Sequence, residues 1–367
     1  MSDPDRAPFD GARDLRDGQL PLAKRFRRHA EALERSGRSP LCVALMRGGA
    51  ENIDDGGLVA DLFDGVPAPP GSVPQLRLMA ALHYLVLSDR APELAGFYPS
   101  AGGDRPPEAV WPVALAALEQ NAELARGRLR RTVQTNDPGR STVLYAALLW
   151  LTDRYRLPIR LLEIGASAGL NLFADRYCYL VGGEVLGDPS SPVRFREPWE
   201  RAPAIDVVAA ADRLRVIDRS GCDRHPLNAA DREDQLTLLS YIWPDELERF
   251  ARTRAAFEVA VDRPGLVAAA SADEWLRSVL APTDGALVVV WHSLFRQYVP
   301  GAEWEALEAA YRDGLTAGAG DAAVVWLSME PEPDHNHGVQ LTARTAPGEP
   351  VVALARCGDH GPPLIWN

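Results

Sequence analysis

The chain has 367 residues, 46% hydrophobic and 25% charged, with a formal net charge of −12. That length can bury a large core and predicts two lobes, while no apolar run nears the ~18 residues that a membrane-spanning helix needs. The acidic balance argues against a nucleic-acid partner, which requires a basic face. Cys42, Cys178, Cys222 and Cys357 are far apart and form no C-x-x-C pair, which argues against a zinc ribbon or a disulfide framework and fits a cytoplasmic protein. Lys24 is the single lysine. P-loop and Schiff-base chemistry both need a placed lysine, so both are excluded.

In chain order, residues 1–19 are rich in Asp, Arg, Pro and Gly, lack an apolar core segment, and read as a disordered tail. Residues 20–155 carry helical patterns and predict an all-α N-terminal lobe. One stripe runs Leu22, Phe26, Ala30, Leu33; another runs Val73, Leu76, Ala80, His83, Leu87, with His83 expected as a core histidine. Leu144, Ala147, Leu148 and Leu151 mark a further helix, with Ser141 expected as its N-cap. Before it, Gln134-Thr135-Asn136-Asp137-Pro138-Gly139-Arg140 reads as a loop, either lining a cleft between lobes or a solvated connector.

The stretch Ile159–Leu162 is a buried apolar run that ends in Glu163 and then in Gly165, Ser167 and Gly169. Leu170, Phe173, Ala174 and Tyr177 follow at helical spacing, so the unit reads as strand, glycine turn, helix. The turn needs glycine for a sharp bend and close approach to a ligand. It is not the pyrophosphate fingerprint G-x-G-x-x-G. Acid-x-Gly-x-Ser-x-Gly resembles the first motif of class I S-adenosylmethionine-dependent methyltransferases, with Ser167 in place of the middle glycine.

Beyond an irregular insertion at about 181–204, a strand ends at Asp223, 60 residues after Glu163. A third strand, Gly265 to Ala270, runs into the capping box Ser271-Ala272-Asp273-Glu274. Asp273 is read equally as an adenine contact or as a helix-start acid. Ala286–Trp291 is an unbroken apolar run, expected as a strand buried on both faces, with His292-Ser293 at its carboxyl end. Trp304, Leu307, Tyr311 and Leu315 predict a helix; Ala323 to Met329 predicts a fifth strand ending at Glu330. Gly338 to Thr345, a Pro347-Gly348 turn and Pro350 to Arg356 predict a terminal hairpin. Asp334-His335-Asn336-His337 reads as a solvated loop, and no metal site is expected.

The pattern as a whole is that of an α/β, Rossmann-like class I methyltransferase sheet, five βα units plus a terminal hairpin, over 156–367. The chain is also similar to the family catalogued as domain of unknown function 2332. Its matching residues are Gln134-Thr135-Asn136 with Gly139-Arg140-Ser141, and Leu162 to Asn171 with Ala174-Asp175-Arg176-Tyr177. Further matches are Gly187-Asp188-Pro189, Asp223 with Pro226-Leu227, Trp243-Pro244, His292-Ser293 with Tyr298, and His360-Gly361 near Trp366. That resemblance implies a methyltransferase-like core behind a helical lobe and carries no reaction. The cofactor expected is S-adenosylmethionine, held by Glu163, Gly165, Ser167, Gly169, Asn171, Asp223 and Asp273. His292 is expected as general base, with Glu330, Arg140, His360 and Tyr298 around a small-molecule substrate. Two alternatives stay open: a cofactor-independent elimination or cyclisation on a small amine-bearing substrate, and a non-catalytic scaffold subunit. Homo- or hetero-oligomerisation is left open.

Overall fold

The computed structural model describes residues 18–263, 265–281, 283–316, 323–332, 338–345 and 350–367. Residues 1–17 of the expected tail, the Asp334–His337 loop and the Pro347-Gly348 turn lie outside the described residues. Among those described, no helix is long and apolar enough to cross a membrane.

The protein is mixed α/β and divides into two compact units. One comprises the described residues up to Thr135 together with Arg232–Ala251; the other comprises Asn136–Asp231 and Arg252–Asn367. The division therefore falls inside the Gln134–Arg140 loop, earlier than residue 155. Helix Ser141–Tyr155 packs on the sheet of the second unit. Segment 232–251 packs on helix Pro74–Leu87 in the first, where Tyr84 Oη donates to Glu233 Oε1 at 3.2 Å.

The first unit holds helices and no strand among its described residues. Phe26, Leu45, Met46, Leu78, Leu82 and Leu118 build its core. His83 is buried within it: Nδ1 faces the carbonyls of Ser240 and Ile242 at 3.3 and 3.1 Å, and Nε2 lies 2.8 Å from Ser100 Oγ. After Trp243-Pro244 the next helix starts at Leu247.

The second unit is built on twelve strands among its described residues: β1 (Ile159–Ile164), β2 (Cys178–Val181), β3 (Glu184–Gly187), β4 (Arg194–Arg196), β5 (Trp199–Arg201), β6 (Val216–Asp223), β7 (Val267–Ala269), β8 (Leu287–Ser293), β9 (Val324–Pro331), β10 (Val339–Arg344), β11 (Val352–Gly358) and β12 (Gly361–Trp366). A large sheet has the order β5-β12-β11-β10-β9-β8-β1-β6-β7, and β3-β2-β4 form a small second sheet. The five strands from β9 to β7 are mutually parallel, whereas β10, β11 and β12 continue as an antiparallel meander. The central strands are apolar on both faces because both faces are covered. The expected terminal hairpin is β10–β11, and β12 extends it. Pro362 and Pro363 argue against a strand there by sequence rules.

One expected element differs. The segment after the glycine turn is a kinked 3₁₀ stretch, Leu170–Arg176, and not an α-helix. Tyr177 Oη donates to the Leu170 carbonyl at 2.6 Å and Tyr179 Oη to that of Ala174 at 2.7 Å. These side chains claim carbonyls that an α-helix would turn toward its own N–H groups, and the helical spacing of Leu170, Phe173, Ala174 and Tyr177 serves burial instead.

Candidate active site

Strand order reverses on either side of β1: the chain goes from β1 out to β6 and β7, then returns to β8 and β9 on the other flank. Open α/β sheets bind ligands outside the carboxyl ends of strands at such a point. Glu163, Asp223, His292 and Glu330 all sit at carboxyl ends of parallel strands.

The turn after β1 has three left-handed residues at alternate positions, Gly165 (φ 68°), Ser167 (φ 53°) and Gly169 (φ 71°). Ser167 thus keeps the backbone that a glycine would adopt, at a cost of roughly 1–2 kcal/mol for an L-residue. Its N–H donates to Asp223 Oδ2 at 3.0 Å, and the His225 N–H donates to Asp223 Oδ1 at 2.9 Å. Asp223 therefore ties the turn to the end of β6. A Cβ on Gly165 would meet the Phe295 ring at 2.4 Å, and one on Gly169 would meet Val267 Cγ2 at 2.9 Å. Both glycines are required for space as well as for φ.

Loop 136–141 is buried against this turn. Asn136 Oδ1 accepts the Leu170 N–H at 2.8 Å, and Ser141 Oγ donates to Asn171 Oδ1 at 2.8 Å. Ser141 is therefore the first helical residue and no side-chain cap, because its hydroxyl is turned to Asn171. The connector is structural and not solvated: Asn136, Asp137 and Arg140 are all buried.

Glu163 is buried, and burial pushes its carboxyl up to about 8 from 4.5. The Arg140 guanidinium and the N–H groups of Asn171 and Trp291 pull the other way, while Asp223 adds to the rise. Those N–H groups stop short of full hydrogen-bonding geometry: Glu163 Oε2, Asn171 Nδ2 and Trp291 Nε1 are all buried without a hydrogen-bond partner. Cys222, whose thiol burial pushes up to about 12, is no nucleophile.

His292 lies elsewhere. Leu162, Ile164, Val288, Val290 and Trp326 share one core on one face of the sheet. By strand alternation His292 falls on that face, while Glu163 and its neighbour Trp291 fall on the other. His292 is only 1% exposed, with Phe295, Trp304 and Trp326 rings at centroid distances of 6.0, 5.6 and 5.6 Å. Its Nδ1 lies 2.8 Å from Glu330 Oε1, an oxygen that also accepts the N–H groups of Phe295 (2.8 Å) and Arg296 (3.1 Å). Glu330 thereby fixes the loop that begins at left-handed Leu294 (φ 48°) and seats Phe295 over Gly165. His292 and Glu163 do not converge on one reacting atom.

The remaining expected residues separate. Arg140 Nε donates to the Asp359 carbonyl at 3.1 Å, which brings the turn bearing His360 beside the Glu163 side of the sheet. Asp273 pairs with Arg277 at 2.7 Å, one helical turn on, so its place at a helix start accounts for it. Tyr298 is 41% exposed on the loop after β8. Asp137, Trp291 and Phe295 were not singled out by sequence; of these only Phe295 leaves a trace, as the bulk that Gly165 makes room for. Among the described residues no group of three or more His, Cys, Asp or Glu could hold a metal ion.

Fold and edge together define a mixed α/β protein whose polar side chains gather at the carboxyl ends of parallel strands. The chain belongs to the family described as an uncharacterized protein conserved in bacteria, domain of unknown function 2332, whose sequence model matches residues 23–366. No curated protein and no solved structure matches it.

Proposed function

We propose that the chain is a methyltransferase-like enzyme that binds S-adenosylmethionine at the glycine turn and acts on a small molecule. The observation that carries this reading is the left-handed run Gly165, Ser167, Gly169 at the end of β1, between Glu163 and Asp223, where the strand order reverses. Taken along the chain, the five parallel strands stand in the order 3-2-1-4-5, which supports the reading of five βα units; the antiparallel meander beyond β9 departs from it.

The residues present fit the donor's polar end. Buried polar atoms without partners are costly, and here an acceptor, Glu163 Oε2, lies with two donors, Asn171 Nδ2 and Trp291 Nε1. An ammonium suits the first and a carboxylate the others, as the head group of an α-amino acid offers. Glu163, Asn171 and Asp223 would hold the cofactor, which when bound supplies an electrophilic methyl group. Phe295, whose N–H donates to Glu330, lies over the turn at Gly165.

A second reading, chemistry without the cofactor on a small amine, is favoured by one observation: both Asp223 oxygens already accept main-chain N–H groups. Calorimetric titration with S-adenosylmethionine and S-adenosylhomocysteine separates the two. The first reading expects micromolar binding, weakened at least tenfold in Asp223→Asn. It also expects proton release: at pH 7 a carboxyl at about 8 is roughly nine-tenths protonated, and an ammonium drives it to ionise. Absence of binding by both ligands refutes the first reading and leaves the amine.

A further inference from the structure

Asp137 and His360 lie 223 positions apart in the chain and meet at the edge just described. The Asp137 side chain is wholly buried, and its Oδ1 accepts the Gly139 N–H at 2.8 Å. Its Oδ2 lies 2.9 Å from His360 Nδ1, an ion-pair distance whose angles fall outside hydrogen-bonding geometry. Two glycines hold this meeting in place. A Cβ on Gly139 would come within 2.2 Å of the His360 carbonyl oxygen, and one on Gly361 within 2.1 Å of the Gly139 carbonyl oxygen. The two loops thus touch backbone to backbone. Thr142 Oγ1 donates to the Gly139 carbonyl at 2.8 Å and closes the same contact.

The His360 side chain is 29% exposed, against 1% for His292. A proton-transfer group must come within hydrogen-bond reach of the atom it serves, and of these two imidazoles only His360 reaches solvent. A carboxylate at Nδ1 selects the tautomer protonated there and leaves the Nε2 lone pair outward. Asp359 Oδ2 stands 3.8 Å from Nε2, so a proton arriving on the ring meets a carboxylate at either end.

We propose that His360, positioned by Asp137, is the proton-transfer group of this edge and serves a substrate bearing a hydroxyl or an amine. Nε2 takes the proton of the substrate's O–H or N–H bond. The electron pair of that bond stays on the oxygen or nitrogen, which becomes the nucleophile, and the imidazolium passes its proton on to water. Asp137 is the positioning residue. The proposal rests on the reading that substrate is taken at the carboxyl ends of the strands, but the pair is testable with no methyl donor present.

Two measurements on the full chain decide it. In ¹⁵N-histidine-labelled protein, with the His360 resonances assigned through His360→Gln, the neutral form of the ring in the wild type carries its proton on Nδ1. Finding Nε2–H there overturns the proposal, and this reading needs no Asp137 variant to fold. In the second, diethyl pyrocarbonate is followed by mass spectrometry at each of the seven histidines. His360 is modified and His292 is spared. Asp137→Asn, whose amide can donate to Nδ1 and so return the proton to Nε2, slows modification of His360 by about tenfold, the scale of one charge-assisted hydrogen bond. Equal rates in the two proteins, or faster modification of His292, overturn the proposal. A positive result here with no S-adenosylmethionine binding would sink the methyl donor and keep the base; the converse would do the reverse.

Discussion

Replacing Glu163 with glutamine tests whether the end of β1 holds a buried acid that resists ionisation. Burial pushes its carboxyl up to about 8 from 4.5. A carboxyl whose folded value is raised makes the native state hold more protons than the unfolded chain between those two values. Its contribution is fully present below pH 4.5 and is lost as pH rises through about 8. At ~1.36 kcal/mol for each pH unit separating the two values, the loss is at most about 5 kcal/mol, and about 3 kcal/mol of it has occurred by pH 7. Glu163→Gln keeps the shape and removes the titration. Denaturant midpoints measured every half unit from pH 5 to pH 9 should decline for the wild type and stay flatter for the variant. The variant should then be the more stable protein at pH 8.5. Parallel curves would refute a protonated Glu163, and with it the expected proton release on ligand binding.

Three further outcomes follow from the packing. Gly165→Ala should cost about 2–5 kcal/mol, the sum of left-handed strain and overpacking against the Phe295 ring; Phe295→Ala should relieve the steric part, so a double-mutant cycle that shows no coupling refutes the contact. Glu330→Ala should cost about 3 kcal/mol, because two amides and an imidazole lose a shared carboxylate. The Phe295 and Arg296 amides should then exchange hydrogen faster, and unchanged protection would show that another contact holds the loop. His83, pushed down to about 4 from 6.5 by burial, contributes stability that is present above pH 6.5 and lost as pH falls through about 4, in total about 3 kcal/mol; His83→Gln should abolish that part of the acid sensitivity of the helical unit, and an unaltered acid limb in the denaturation profile would refute it.

Much of the second unit was legible because local chemistry decides it. Apolar runs such as Leu287–Trp291 can be satisfied only as central strands, and glycine at 165 and 169 announced positive φ. Ser167 shows where that logic ends: position and tertiary ties to Asp223 and Leu227 hold a left-handed serine that composition alone does not mark. The 3₁₀ stretch after the turn was illegible for a related reason. Its apolar spacing suits a helix, but the carbonyls of Leu170 and Ala174 are taken by Tyr177, just before the next strand, and Tyr179, on it.

The site shows the same limit in its sharpest form. His292 is one residue past Trp291, and one step along a strand moves a side chain to the other face of the sheet. Placing Glu163 and His292 in one pocket ignored that parity, although Glu163 between apolar Leu162 and Ile164 already carried the signal. What could not be read was which face each loop would cover, since that depends on the β1–β8 register and on Gly139 meeting Gly361 across the chain. The consequence is a division of labour. The Glu330–His292 pair, enclosed by Phe295, Trp304 and Trp326, holds a loop in place, whereas Asp137–His360 leaves its imidazole in reach of solvent on the turn that Arg140 holds. A histidine at the end of a central strand draws notice for its position, but the chemistry it can do is set by what closes over it.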